Sequence, residues 1–367
     1  MTTTHDHPTR RTAIIGALLL PLLPRRAAAQ AVSGERSQRE IALRIARELI
    51  IPRYRALAAE TGSQAEAWRS FRARPEAGAL ASLKRAYGAA ADAWSGIEAV
   101  RSGPIAEDSR YERIAHWPER RNAVSRALTS LLAGDEPFAP ERLRRASVAG
   151  QGLTALERLL YGEAEGGTDA AARAIAAPDK AGARRRDLGL AIAEGVDRIA
   201  SEVLAAWTGP ELARWEAPGP DEAREALTRL ATDHLAMLEV IQDAKINAVI
   251  GRDSDEARPL LAEGWRSGRS LRAISIGLEE QEAFARAALA HDPDQLQSVV
   301  AGLATARSLA GELAAKPASI GAVAADASGR MRLVLLRDAV ASAREVAGPA
   351  LSESLDITIG FNSQDGD

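Results

Sequence analysis

The chain has 367 residues, of which 46% are hydrophobic and 4% aromatic, with a formal charge of −3. That length allows two domains with sizeable cores, and a composition rich in Ala, Leu, Arg and Glu favours packed helices over sheets. The charge lacks the footprint of a nucleic-acid binder, and the absence of Cys excludes disulfides, thiolate zinc sites and cysteine-ligated clusters.

Arg10-Arg11 precedes an apolar run from Ala13 to Leu23, too short to span a bilayer comfortably, and Ala27-Ala28-Ala29 offers a small-residue cleavage pattern. Residues 1–29 therefore read as an export signal of the twin-arginine type, cleaved near Ala29, and Arg25-Arg26 disfavours the general secretory route. They carry a net +3, which leaves −6 on the remainder. No later segment is apolar enough to span a membrane, so the mature chain is expected in the periplasm with no transmembrane segment.

From Gln38 to about Ala59 the spacing of Ile41, Ile45 and Leu49 predicts a helix, interrupted by Pro52. Glu76 to Arg101 reads as a bundle helix with Leu80, Leu83, Tyr87, Ala90, Trp94 and Ile97 on its seam. Ser102-Gly103-Pro104 ends it. A loop with His116-Trp117-Pro118 follows, then a helix carrying Val124, Leu128 and Leu131, and a short helix from about Pro140. Between Gly150 and Gly162, Leu153, Leu156, Leu160 and Tyr161 share one helical face, and Glu157 lies on it, while Arg158 points the other way. A carboxylate on an apolar stripe needs a cation, donors or a metal.

Glu163 to Asp169 is polar and Gly-rich, a domain boundary by composition. Lys180 to Trp207 reads as a long helix, Ala217 to Pro220 as a turn, and Asp221 as the cap of a helix reaching Ile250. His234 and Lys245 lie on the apolar stripe of that helix. His234 reads as a core histidine and His291 as a solvated cap. Asp243 and Lys245 are two residues apart, so at most one of them points inward. Three helices follow, over Leu271–Ala290, Pro293–Ala315 and about Ile320–Val346, with Pro349 ending the last. The expectation is an all-α protein of two packed helical bundles, residues 30–167 and 168–367, with Phe361 docking the tail.

Several blocks together resemble the imelysin-like family of exported bacterial proteins. They are Ile51-Pro52-Arg53-Tyr54, Arg101-Ser102-Gly103-Pro104, His116-Trp117-Pro118, Gly152 to Gly162, Trp265 to Leu271, and the tail Gly360 to Asp367. The resemblance implies two helical bundles with a site where they meet. It also implies a link to iron transport or metal binding at the cell envelope, and a founding member described as a peptidase. The family's Gly-x-His-x-x-Glu hallmark is matched at Gly152 and Glu157, but Thr154 stands where the His would be.

The expected site is the cleft between the bundles. Glu157 and Arg266 form its polar centre, with His116 and Arg120 from the first half and Trp265, Ser267 and Thr154 beside them. Arg266 suits a bidentate pair with a buried carboxylate, and Ser267-Gly268 suits a turn that offers backbone N–H groups to an anion. Glu157 and His116 are the candidate ligands for a divalent or ferric ion, and Asn362, Asp365 and Asp367 are further oxygen donors. His-Glu-x-x-His is absent, and the missing imidazole argues against peptidase activity. The expected role is a ligand-binding protein of the cell envelope linked to iron uptake, with an envelope protein as a further partner. The alternatives are an interaction protein with a structural charged centre and a metallopeptidase.

Overall fold

In a computed structural model, residue 2 and residues 37–162, 167–217, 221–316 and 318–359 are described. The export signal with Arg10-Arg11 and Ala27–Ala29, parts of the expected boundary and turn at 163–166 and 218–220, and the tail from Gly360 through Asn362, Asp365 and Asp367 lie outside them. The described residues form helices and loops with no strand.

Residues 37–45 are helical and continue through a π-helical turn, Ala46–Ile50, into α1 (Ile51–Ala73). The helix thus runs on past Pro52 instead of breaking. The wider turn precedes the proline, where its missing N–H and its ring conflict with regular α-bonding. Helix α2 (Ala77–Ser95) stops six residues before the expected Arg101, and residues 96–99 turn away. After α3 (Ala123–Ala133) and α4 (Gly152–Tyr161) comes α5 (Lys180–Thr208), started by Asp179, whose carboxylate accepts from the Gly182 N–H at 2.7 Å.

Helix α5 falls beyond the expected boundary at 167/168, yet it packs along α1 and α4 in the first half. Its close approach to α1 runs through Gly189. A Cβ there would meet the Trp68 ring at 2.2 Å.

The second half comprises α6 (Glu222–Glu239), which continues through a π-helical stretch, Val240–Asn247, then α7 (Ser270–Ala288), α8 (Pro293–Ala314) and α9 (Ala327–Leu355). Asp221 precedes α6 but makes no side-chain cap; its φ is +67° and it pairs with Arg224. The expected single helix from Ile320 is two, because Asp326 caps α9 at Gly329 N, 2.7 Å away. Pro349 lies inside α9. Burial of Val340, Ala343, Ala347, Ala350, Leu351 and Leu355 offsets the roughly 3 kcal/mol that an interior proline costs. Helix α7 packs against α2 and the first π turn and so joins the halves. Asp233 of α6 reinforces the join by accepting from Arg101 N at 3.0 Å and Ser102 N at 2.9 Å.

Candidate functional site

Helix α4 is enclosed. Gly152 starts it with φ +76°, and a Cβ there would strike the Ile114 and Arg113 carbonyl oxygens at 2.4 and 2.6 Å. Only glycine permits both that backbone and that approach. About one and a half turns of helix then carry Glu157 inward, where it is 2% exposed.

The loop over residues 263–269 closes on this carboxylate from the second half. Ser267 donates to Glu157 Oε1 twice, from its N–H at 2.9 Å and from its hydroxyl at 2.6 Å. The turn at Ser267-Gly268 therefore does present a backbone N–H to an anion, and that anion is the chain's own side chain. Arg266 donates its Nε to the Gly162 carbonyl at 3.0 Å and lies 4.2 Å from the Trp265 ring centre. Its charge favours the Glu157 carboxylate. Burial nevertheless pushes the Glu157 pKa up; the Ser267 bonds and Arg266 oppose that rise, and Glu263 adds to it.

A second buried cluster lies alongside. Lys245 Nζ is 2.6 Å from both Glu98 and Glu263 and 5.6 Å from the Trp117 ring centre. Burial alone would lower the Lys245 pKa, but Glu263 and Glu98 together raise it. Burial raises that of Glu98, and Glu263 raises it further. Asp243 is exposed, so Lys245 is the inward member of that pair. Glu98 belongs to the first half and Lys245 to the second, and Trp117 Nε1 crosses as well, donating to Leu261 O at 3.2 Å.

Between these clusters is a cavity of about 570 Å³. Of the residues singled out from sequence, Thr154, Glu157, Trp265 and Arg266 line it. Ser267 stands behind Glu157 as its donor. His116 is half-buried and Arg120 exposed, and neither lines the cavity; their neighbours Trp117, Glu119 and Arg121 do.

Sequence reasoning missed four participants. Arg158 points away from Glu157 yet is buried too, paired with Glu119 at 3.0 Å and donating to Asn122 Oδ1 at 2.8 Å. Arg269 pairs with Asp92 across the halves. Glu98 and Glu263 sit in turns, where periodicity carries no signal. A sequence signal did exist for Arg158, since α4 is too short and apolar to leave much of itself exposed.

The donors gathered here do not make up a set for a bare metal ion among the described residues. Among the described residues, no group of three or more His, Asp or Glu side chains is placed to hold one. Glu157 Oε1 already accepts both Ser267 bonds, and Thr154 supplies a hydroxyl where an imidazole would stand. His234 is a core residue, 2% exposed and stacked on Phe284 at 3.7 Å, and burial pushes its pKa down to about 3.

A family model described as Imelysin matches residues 50–347. No curated protein matches the chain. Among solved structures, an imelysin-like protein from Psychrobacter arcticum 273-4 superposes with a TM-score of 0.71 at 15% identity, covering 89% of this chain and 98% of the other. A proposed iron-regulated protein A precursor from Parabacteroides distasonis ATCC 8503 gives 0.65 at 12% identity, covering 87% and 95%. At these identities the likeness shows the fold.

Proposed function

The chain belongs to the imelysin family, and on that premise we propose that it is an exported, non-catalytic ligand-binding protein of the cell envelope, linked to iron acquisition, with its site in the cavity between the helical halves. Export rests on the twin-arginine pattern ahead of Ala27–Ala29. No helix among the described residues is long and apolar enough to cross a membrane. The link to iron is supported by the neighbour that is named iron-regulated.

The observation that carries the reading is the cavity of about 570 Å³ beside a buried carboxylate, a volume suited to a small molecule and not to a naked ion. Its acids have partners: Asp92 in Arg269, Glu119 in Arg158, Glu263 in Lys245, which it shares with Glu98, and Glu157 in Ser267. Arg121 is exposed on the lining, with no ion-pair or hydrogen-bond partner among the described residues. The four lining acids, Asp92, Glu119, Glu157 and Glu263, are balanced by Arg121, Arg158, Arg266 and Arg269, so Arg121 is the group placed to meet an anionic part of a ligand, and a cation would arrive inside a chelate that brings its own donors. Thr154, Glu157, Trp265 and Arg266 form the wall that would meet it.

The Ser267 bonds to Glu157 favour a second reading, in which the charged centre is structural and the protein acts by binding a partner. Thermal melts with ferric citrate, citrate alone and ferric ion alone separate the two. The ligand-binding reading expects a Tm rise with ferric citrate that is reduced in Thr154→Trp, which puts a large ring into the cavity wall. Absence of any shift, with Thr154→Trp as stable as the parent, leaves the structural reading. Stoichiometric metal retained by the purified protein and lost in Glu157→Ala would instead establish coordination by the chain. Chelator-sensitive peptide cleavage would restore the hydrolase.

A further inference from the structure

A second concavity, of about 450 Å³, opens in the first half between residues 108–113, residues 144–151 and the middle of α5. Five arginines line it, Arg110, Arg113, Arg144, Arg145 and Arg198, against two acids, Asp108 and Glu202. The local excess is positive on a chain whose formal charge is −3. Like charges gathered in one hollow repel each other and raise the affinity for a counter-ion.

The two acids offset only part of this charge. Glu202 is 3.6 Å from Arg110 Nη2 and 3.7 Å from Arg198 Nε, beyond a good hydrogen bond to either. Arg144 and Arg145 are exposed, and their guanidinium groups have no partner among the described residues. Arg113 is fixed from three sides, donating to Asp108 O at 2.9 Å, Gln151 Oε1 at 3.2 Å and Arg144 O at 3.1 Å. Those three bonds leave part of its five-donor fork unused. Arg110 is likewise anchored, on Pro104 O and on the Glu107 carboxylate, each at 2.8 Å, which leaves Arg113, Arg144, Arg145 and Arg198 to carry the excess charge. Two fixed guanidinium groups and two free ones around a hollow suit an anion with several oxygens, because each guanidinium offers paired N–H donors.

We propose that this basic hollow binds a phosphate-bearing anion, free or as the headgroup of an anionic lipid. It shares no lining residue with the cavity at Glu157, so the two proposals stand or fall separately. The test uses the mature chain and its Arg144→Gln/Arg145→Gln variant, whose substitutions are at exposed positions and whose fold is checked by circular dichroism. Inorganic pyrophosphate is titrated by calorimetry, and vesicles of equal phosphatidylglycerol and phosphatidylcholine are sedimented with the protein, beside pure phosphatidylcholine. Saturable pyrophosphate binding weakened about tenfold in the double variant supports a free anion. Co-sedimentation only with the anionic vesicles, lost in the double variant, supports the lipid headgroup. In either case Glu202→Gln tightens binding, because it removes the competing carboxylate. Failure of both probes to bind, or binding undiminished by the double substitution, overturns the proposal.

Discussion

Ser267 holds Glu157 by two hydrogen bonds to one oxygen, from its N–H at 2.9 Å and its hydroxyl at 2.6 Å. Ser267→Ala removes the shorter bond and leaves a buried carboxylate less well served. Hydrogen bonds to charged groups contribute about 1.5–3 kcal/mol, and a loss in that range is expected by urea denaturation. The Glu157 pKa rises further without the hydroxyl, so the loss is larger at pH 8 than at pH 4. An equal loss at both pH values would contradict this account.

Gly152→Ala adds a Cβ at φ +76° and 2.4 Å from the Ile114 carbonyl oxygen. The backbone must move or the helix start must open. A destabilisation of about 3 kcal/mol or more is expected, read as a lowered urea midpoint. Gly195→Ala on α5, where nothing lies within 4 Å of the added Cβ, is the matched control and should be neutral or slightly stabilising.

Lys245→Met leaves Glu98 and Glu263 facing each other with no cation. Breaking a buried pair from one side costs about 3–5 kcal/mol. Adding Glu98→Gln and Glu263→Gln to the same variant should recover most of that loss. A triple variant no more stable than Lys245→Met would show that packing, and not charge, sets the effect.

His234 has its pKa pushed from 6.5 down to about 3 by burial. The unfolded chain binds a proton over that window and the folded chain does not. The stability His234 contributes is therefore present above pH 6.5 and lost as pH falls towards about 3. The difference between wild type and His234→Gln should change by on the order of 4 kcal/mol across the window, measured as urea midpoints at successive pH values.

Glu280 on α7, paired with Arg53 of α1, behaves in the opposite sense. Burial raises its pKa to about 7 despite Arg53. The folded chain holds the proton longer than the unfolded chain, so its contribution is complete below pH 4.5 and lost as pH rises through about 7. Relative to Glu280→Gln, wild type should lose on the order of 3 kcal/mol between pH 4.5 and 8. A pH-independent difference would show that the carboxyl titrates normally.

The helical architecture was legible because apolar periodicity is a local signal, as in Leu83, Tyr87, Ala90 and Trp94 on α2. The burial of Glu157 and the inward direction of Lys245 were legible for the same reason. Partners were harder to read. Arg266 was the natural match for Glu157 by charge, yet the hydrogen bonds come from Ser267, because the turn at residues 263–269 aims one N–H and one hydroxyl at the same oxygen. Glu98 lay unnoticed at the end of an apparent helix, since the apolar spacing runs on to Ile97 while the helix stops at Ser95 with Gly96 as its cap. The same limit explains Pro349, where packing along α9 overrides a local breaker, and α5, whose partner α1 lies more than a hundred residues earlier.

Helix α4 is enclosed by both halves of the protein, tied at its middle by Ser267 and at its end by Arg266. Its inward residues Ala155, Leu156, Glu157 and Leu160 are buried. Isotope exchange along residues 152–161 should therefore proceed at the slowest rate in the molecule and report the free energy of global unfolding. A bound molecule that wedges the halves open would show itself first as faster exchange in this one short segment.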